Sequence, residues 1–332
     1  MSQKTALIIT SISAPNEAMK AFSSGCKKNG IDFIVIGDTK SPKDFQIEGC
    51  RFEGIEEQRE MPFKLAKLLP ERHYGRKNLG YLLSKNNDVI IETDDDNLPR
   101  AEFWQKNLTP DTARFTEKKG WVNAYRYFSA DNIWPRGLPL EEIQGNGNIA
   151  EELIPTSIEA DSIKIFQGLA DENPDVDAVY RMTLKLPFNF EKKPALVLGN
   201  GTWCPFNSQN TAWKKEAFPL LYLPSYCSFR MTDIWRSFIA QRIAWTCGWN
   251  ILFHSADVWQ ERNEHSLLKD FADEVPGYLN NFRMCKMLEE LDLKTGTQHL
   301  SENLIRCYSL MIENGWVGKE EMNLVEAWCA EF

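Results

Sequence analysis

Apolar and polar residues along the first hundred positions follow two periods, and the switches between them mark strands and helices. Ala6-Leu7-Ile8-Ile9-Thr10 is a short apolar run suited to a buried strand. A helix is expected over about 16–29, and the next strand, Asp32-Phe33-Ile34-Val35-Ile36, stops at Gly37-Asp38. A helix from Arg76 to Lys85 leads into the strand Asp88-Val89-Ile90-Ile91-Glu92, which delivers the chain to Thr93-Asp94-Asp95-Asp96-Asn97. Strands alternating with helices imply an α/β fold around a mostly parallel sheet, and such sheets bind ligands beyond the carboxyl ends of their strands. The exits at Thr10-Ser11, Gly37-Asp38 and Asp94–Asp96 are therefore expected to meet in one crevice.

Periodicity weakens over 132–174, where Gly, Pro and Asn gather (Gly145-Asn146-Gly147-Asn148), and loops with short elements are expected. Strands are expected again at 178–186 and 195–198. The run Thr232 to Cys247 predicts an amphipathic helix with Ile234, Trp235, Phe238, Ile239 and Ile243 on one face and Arg236 and Gln241 off it. From Ser266 onward the pattern is helical. The expected division is a nucleotide-binding α/β unit over 1–265 and a helical appendage over 266–332.

Composition narrows the function classes. With 43% hydrophobic and 26% charged residues, the 332-residue chain can bury a large core. A net charge of −9 argues against a nucleic-acid binder, and no stretch approaches the roughly 18 apolar residues of a membrane span. The short apolar run after Met1-Ser2-Gln3-Lys4 reads as a first strand rather than a signal peptide. Eight cysteines show neither CxxC pairs nor metal-ligand spacing, which predicts reduced thiols in a cytoplasmic protein. Trp134 and Trp203 fall in polar, Gly-rich contexts where an aromatic can pack a sugar ring, although most of the eleven tryptophans are expected in the core.

Three consecutive carboxylates raise one another's pKa, and a divalent cation removes that penalty. Alternate residues of an extended chain point the same way, so Asp94 and Asp96 can face one ion while Asp95 faces elsewhere. Oxygen ligands suit Mg²⁺ or Mn²⁺, and Mg²⁺ commonly binds through one or two carboxylates plus substrate phosphates. Taken alone, the triplet reads better as a solvated acidic turn closed by Asn97 and Pro99.

Its surroundings favour the ion. Upstream, Arg76 and Lys77 carry positive charge for a pyrophosphate, Asn78 offers a polar contact, and Gly80 costs a helix about 1 kcal/mol unless packing requires it. Downstream, Thr232 and Asp233 begin a helix flanked by Arg230 and Arg236. Asp233 is either a first-turn carboxylate meeting the helix dipole or a rigid general base, with Arg236 orienting it or meeting a phosphate. Between these blocks, Asn207, Gln209 and Asn210 belong to an amide-rich run suited to sugar hydroxyls or, equally, to a turn. The histidines at 73, 254, 265 and 299 form no metal-ligand constellation by spacing.

Asn78-Leu79-Gly80-Tyr81, Asp94-Asp95-Asp96, Asp175-Val176-Asp177-Ala178-Val179-Tyr180-Arg181, Pro205 to Thr211 and Thr232-Asp233-Ile234-Trp235-Arg236 occur in that order. Together with Glu313-Asn314-Gly315-Trp316 and Val325-Glu326-Ala327-Trp328, this series resembles the STELLO family of glycosyltransferases. More distantly it resembles the reversibly glycosylated polypeptides, which are UDP-arabinopyranose mutases. The resemblance covers most of the chain after residue 75.

It implies a GT-A-like fold, a mixed, mostly parallel sheet flanked by helices, with Mn²⁺ or Mg²⁺ and a nucleotide-sugar donor, UDP-linked by preference. Asp94–Asp96 would form the DxD-like metal and donor site, Arg76, Asn78 and Gly80 the nucleotide-side helix, and Asp233 the base of an inverting transfer. A histidine expected after the Asp233 helix falls near Trp259-Gln260 instead, leaving His265 as the substitute third metal ligand. The implied reaction is sugar transfer to a hydroxyl of a glycan or lipid-linked glycan acceptor. A nucleotide-sugar mutase and a non-catalytic sugar-binding scaffold are the alternatives. Plant members carry a membrane anchor that this sequence lacks, so a cytoplasmic location, peripheral to a membrane at most, is expected.

Overall fold

The computed structural model of the protein describes residues 3–105, 108, 110, 112–144, 153–157, 159–261 and 266–332. Thr5–Thr10 forms β1, whose alternate side chains enter two separate apolar layers: Ala6 and Ile8 on one face of the sheet, Leu7 and Ile9 on the other. Glu17–Asn29 (α1) follows, capped by Asn16, whose side chain accepts from Met19 N at 2.9 Å, and ended by Gly30 in the left-handed region at φ 65°. Asp32–Ile36 (β2) and Cys50–Glu53 (β3) come next, then the short helices Ile55–Arg59 (α2) and Lys64–Leu68 (α3). A 3-10 turn at Tyr74–Arg76 opens Lys77–Leu83 (α4), which returns to Val89–Thr93 (β4).

The middle of the chain contributes Asn97–Pro99 (β5), Thr112–Thr116 (β6), Gly120–Trp121 (β7), Ala124–Tyr127 (α5), Leu140–Ile143 (α6) and Ile154–Ser157 (β8). Ile163–Asp171 (β9), Ala178–Thr183 (α7), Ala195–Leu198 (β10), Thr202–Trp203 (β11) and Asn210–Lys214 (β12) lead to Thr232–Thr246 (α8) and Asn250–Gln260 (β13). The chain closes with Leu267–Glu290 (α9), Leu300–Glu313 (α10) and Glu321–Cys329 (α11).

Among the described residues the main sheet has eleven strands in the order β3-β2-β1-β4-β12-β9-β13-β10-β6-β8, with β5 paired to β13. It is mixed: β3, β2, β1 and β4 run parallel, β12 is antiparallel to both β4 and β9, and β13 is parallel to β9. The carboxyl ends of β1, β2, β4, β9 and β13 therefore share one edge of the sheet. The larger apolar layer joins β1 and β4 to the last helices, with Ile8, Ile90, Trp235, Tyr308, Met311 and Trp328 in one cluster.

Two expected elements come out differently. The stretch 132–174 holds β9, nine residues buried throughout, whose apolar run is broken by Lys164 and Gln167. Gln167 is consumed internally, accepting from Asn207 N at 2.9 Å, so its polarity concealed a central strand. The strand expected over 178–186 is instead α7, because Asp177 caps it by accepting from Tyr180 N at 2.7 Å. Helix α8 is buried on nearly every side, Arg236 and Gln241 included, because the later helices cover its outer face.

Gly80 answers to packing. A Cβ there would stand 2.5 Å from Ile8 Cγ2 and 3.1 Å from Ile36 Cγ1, so α4 lies directly on β1 and β2. Gly80→Ala is expected to destabilise the protein by about 1–2 kcal/mol, overpacking outweighing the gain in helix propensity. Equilibrium urea unfolding measures it; an unchanged or raised midpoint would refute the packing role.

Candidate active site

A cavity of about 510 Å³ opens where these strand ends meet, lined by Thr10, Ser11, Asp38, Arg76, Asp94, Asp95, Asp96, Gln209, Arg230 and Asp233 among others. The three strand exits do meet in one crevice, and the segment after β9 and the end of β13 add Asp175 and Gln260 to it. Two non-glycine residues with left-handed backbone, Arg72 at φ 57° and Glu172 at φ 69°, sit in loops that build this edge. Such conformations cost free energy and persist where surrounding structure imposes them.

The acidic triplet is a turn, and each carboxylate in it has a direction. Asp95 accepts from Ser11 Oγ at 2.5 Å, and Asn16 Nδ2 donates to its carbonyl at 2.7 Å. Asp96 Oδ1 accepts from Gln260 Nε2 at 2.8 Å. Asp94 Oδ1 accepts from Tyr74 Oη at 3.3 Å and lies 3.8 Å from Lys77 Nζ. Asn97 clamps the turn from below, donating to Gln209 O at 2.7 Å and Thr93 Oγ1 at 2.9 Å. Burial pushes the Asp94 carboxyl well above the usual range; Lys77 opposes this, while Asp96, Asp233 and Asp95 add to it. Among the described residues no group of three or more His, Cys, Asp or Glu side chains forms a metal shell. The donor set present, two carboxylates with oxygen chemistry, fits a cation completed by phosphate oxygens and water.

Asp233 occupies the other side. Its Oδ2 accepts from Arg136 Nη2 at 3.0 Å and from Ser208 N and Oγ at 3.2 Å, while its Oδ1 accepts from Arg136 at 3.1 Å. Arg136 also forks onto Asp175, Nε to Oδ1 and Nη2 to Oδ2, both at 2.8 Å. Burial alone would raise the Asp233 pKa, but the charge and hydrogen bonds of Arg136 overcome it and hold the carboxyl well below the usual range.

Several expected site residues stand elsewhere. Lys77 is fully buried beneath the turn, its Nζ donating to Tyr74 Oη at 2.8 Å and Thr93 O at 2.9 Å, so it counters Asp94 from inside the protein. Asn78 clasps the backbone of Leu223 through both amide atoms, at 2.8 and 2.9 Å. Arg236 neither orients Asp233 nor lines the cavity: its Nη1 pairs with Glu92 at 2.8 Å inside the core. Asn210 donates to Asp257 Oδ1 at 2.6 Å, and Asn207 Oδ1 accepts from Gln209 N at 3.0 Å, so within that run Ser208 and Gln209 reach the cavity. Trp134 and Trp203 are core residues bonded to Asp177 and Glu289. His265 lies outside the described residues, as does Gly145-Asn146-Gly147-Asn148.

Arg76 keeps its place. It is 2% exposed, donates to Gln58 Oε1 at 2.5 Å and Leu69 O at 3.1 Å, and lines the cavity with Nη2 lacking a partner among the described residues. Beside it, His73 N donates to Asp38 Oδ2 at 3.0 Å, and Gly75 N donates to His73 Nδ1 at 2.9 Å. Tyr74 and Arg136 were not singled out from the sequence for any role in the site. Asp175 and Ser208 fall in blocks of the family resemblance, and Gln260 falls where a histidine was expected, but none of the three was assigned a role of its own.

Removing the Asp233 charge should expose the worth of the Arg136 pairing. Because the folded carboxyl is depressed, its stabilisation is complete above the unfolded value of ~4 and is lost as pH falls below it. Asp233→Asn is expected to cost about 3–5 kcal/mol near pH 7, and the gap to the wild type should close on acidification. Urea unfolding across pH 3–7 tests this; a gap independent of pH would show that the charge contributes nothing.

No helix among the described residues is long and apolar enough to cross a membrane, and all eight cysteines are free thiols. Residues 230–332 match the family model of the STELLO glycosyltransferases. Over 97% of its length the chain is 27% identical to "Probable glycosyltransferase STELLO2" and 25% identical to "Probable glycosyltransferase STELLO1", both of Arabidopsis thaliana. It spans less than half of those relatives, 44% and 43% respectively. Among solved structures, Mycobacterium tuberculosis glucosyl-3-phosphoglycerate synthase in complex with Mn²⁺ and UDP-glucose aligns over 85% of this chain and 79% of that one, at 10% identity and a TM-score of 0.44. By sequence, then, the chain is similar to the STELLO glycosyltransferases along nearly its whole length, and its C-terminal third matches their family model.

Proposed function

We propose that the protein is a glycosyltransferase moving a sugar from a nucleoside-diphosphate sugar, UDP-linked by preference, to an acceptor hydroxyl, with Mn²⁺ or Mg²⁺ held at Asp94 and Asp96. The observation that carries this reading is the meeting of Asp94–Asp96, Arg76 and Asp233 in one cavity at the carboxyl edge of the sheet. Six aspartates and six Lys or Arg residues line it, so the cavity is balanced rather than basic. A bound divalent cation would tip that balance and supply positive charge to the departing diphosphate.

The chain's own residues divide the work. Arg76, with its unpartnered Nη2, is the fixed cation assigned to the donor's diphosphate, and Thr10, Ser11 and Asp38 line the nucleotide side. Gln260 and Ser11 hold Asp96 and Asp95 in orientation. Asp233 is the assigned acceptor-side base. Arg136 covers both its oxygens and keeps it ionised, which makes it a weak proton acceptor at rest. It can take the acceptor's proton once Arg136 withdraws, and Asp175 is the second carboxylate that retains the guanidinium. Direct displacement with Asp233 as base would give an inverted product.

Two experiments test the reading. UDP with Mn²⁺ should stabilise the protein by about 2.7 kcal/mol at a hundredfold excess over Kd, and Asp94→Asn should abolish the shift. No stabilisation by any nucleoside diphosphate would refute a nucleotide-sugar enzyme. Asp233→Asn should lower turnover by about 10²–10⁴-fold while leaving nucleotide affinity intact. Retention of anomeric configuration, seen by NMR of the product, would remove Asp233 as the base.

A further inference from the structure

One side chain at the mouth of the cavity has a position that the proposed chemistry does not use. Phe229 lines the cavity and is 53% exposed. Its mount is rigid. The 3-10 turn Phe229–Met231 runs directly into α8, closed by Met231 N donating to Ser228 O at 2.9 Å. Ser228 Oγ donates to Asp273 O on α9, and Arg230 donates to the wholly buried Glu274 through Nε at 3.0 Å and Nη2 at 2.9 Å. The ring also makes T-shaped contacts with His73 and Tyr74, with centroids 6.1 and 6.2 Å away. A fixed aromatic face left open in a cavity is a stacking surface waiting for a ring.

Its neighbours define what kind of ring. The same turn connects to the Asp233 side, because Arg230 O accepts from Arg136. On that side Arg136 is paired with Asp175 and Asp233 and Arg230 with Glu274, while Arg181 donates to Pro174 O at 2.9 Å and Arg72, which also lines the cavity, donates to Thr39 Oγ1 at 3.3 Å. A phosphate or carboxylate on the acceptor would meet Asp175 and Asp233 there, beside two arginines already paired with carboxylates. An uncharged ring with an apolar C–H face and hydroxyl donors meets no such opposition.

We infer that Phe229 is the platform of an acceptor subsite and that the acceptor is an uncharged saccharide. This rests on the glycosyltransferase reading and narrows it. A nucleobase could also stack on an aromatic face, and the experiment separates the two occupants.

The test titrates the full chain, loaded with UDP and Mn²⁺, with cellobiose and maltose and with glucose 6-phosphate and glucuronate, using calorimetry. At least one neutral disaccharide should bind more tightly than both anionic sugars. Phe229→Ala should weaken that binding about tenfold or more, Phe229→Trp should keep it within about threefold, and UDP affinity should not follow either change. Preference for the anionic sugars, UDP rather than saccharide affinity lost in Phe229→Ala, or UDP binding with no disaccharide binding would each overturn the inference. Failure of the wild type to bind UDP or any other nucleoside diphosphate with Mn²⁺ would instead overturn the reading beneath it.

Discussion

The buried pair of Glu92 and Arg236 joins the two halves of the site. Glu92 stands on β4 two residues before Asp94, and Arg236 stands on α8 one turn after Asp233, each at most 1% exposed. Glu92 also accepts from Trp213 Nε1 at 2.9 Å and from Tyr81 Oη, so its oxygens are fully engaged. Arg236 is less well served: Nε and Nη2 have no partner among the described residues, and its guanidinium lies 5.1 Å from the Trp213 ring centroid. The aromatic face offsets part of that desolvation. Removing either partner would strand a charge in the core, at a cost of roughly 3–5 kcal/mol. The spacing between the proposed ion site and Asp233 thus depends on a contact between two residues that do not line the cavity.

Around that joint, polar groups are used in layers. Lys77 and Tyr74 meet Asp94 from beneath, Gln260 meets Asp96 from β13, and Ser11 meets Asp95 from β1. Each carboxylate is oriented by a different strand or helix, which holds like charges close together without collapse. Preorganised groups of this kind need little rearrangement when charge develops on a substrate. On the other side Asp175 and Asp233 share Arg136.

Local pattern revealed elements where burial and periodicity agree. The strands β1, β2 and β4 were legible because their apolar runs end at polar turns, and the parallel arrangement then placed Thr10, Asp38 and Asp94–Asp96 together. Gly80 was legible too, since a helix tolerates glycine where a sheet lies against it. Pattern failed where a polar residue is consumed inside the protein. Gln167 disguised β9, and Asp177 turned an expected strand into α7. In the same way Asn207, Asn210 and Arg236 carried the chemistry of a ligand site but satisfy buried partners.

Residue order by itself determined the α/β alternation, the acidic turn at a strand exit, the cleft-facing Arg76 and the similarity to the STELLO glycosyltransferases. Tertiary structure alone decided which side chains share the cavity with them. Arg136 lies 97 positions from Asp233 and Gln260 lies 164 from Asp96, and neither contact has a local signature. The exposed ring of Phe229 is likewise invisible in sequence, where a phenylalanine before a helix reads as core. Periodicity reports only which face of its own element a residue occupies, whereas a site is assembled from faces that different elements bring together.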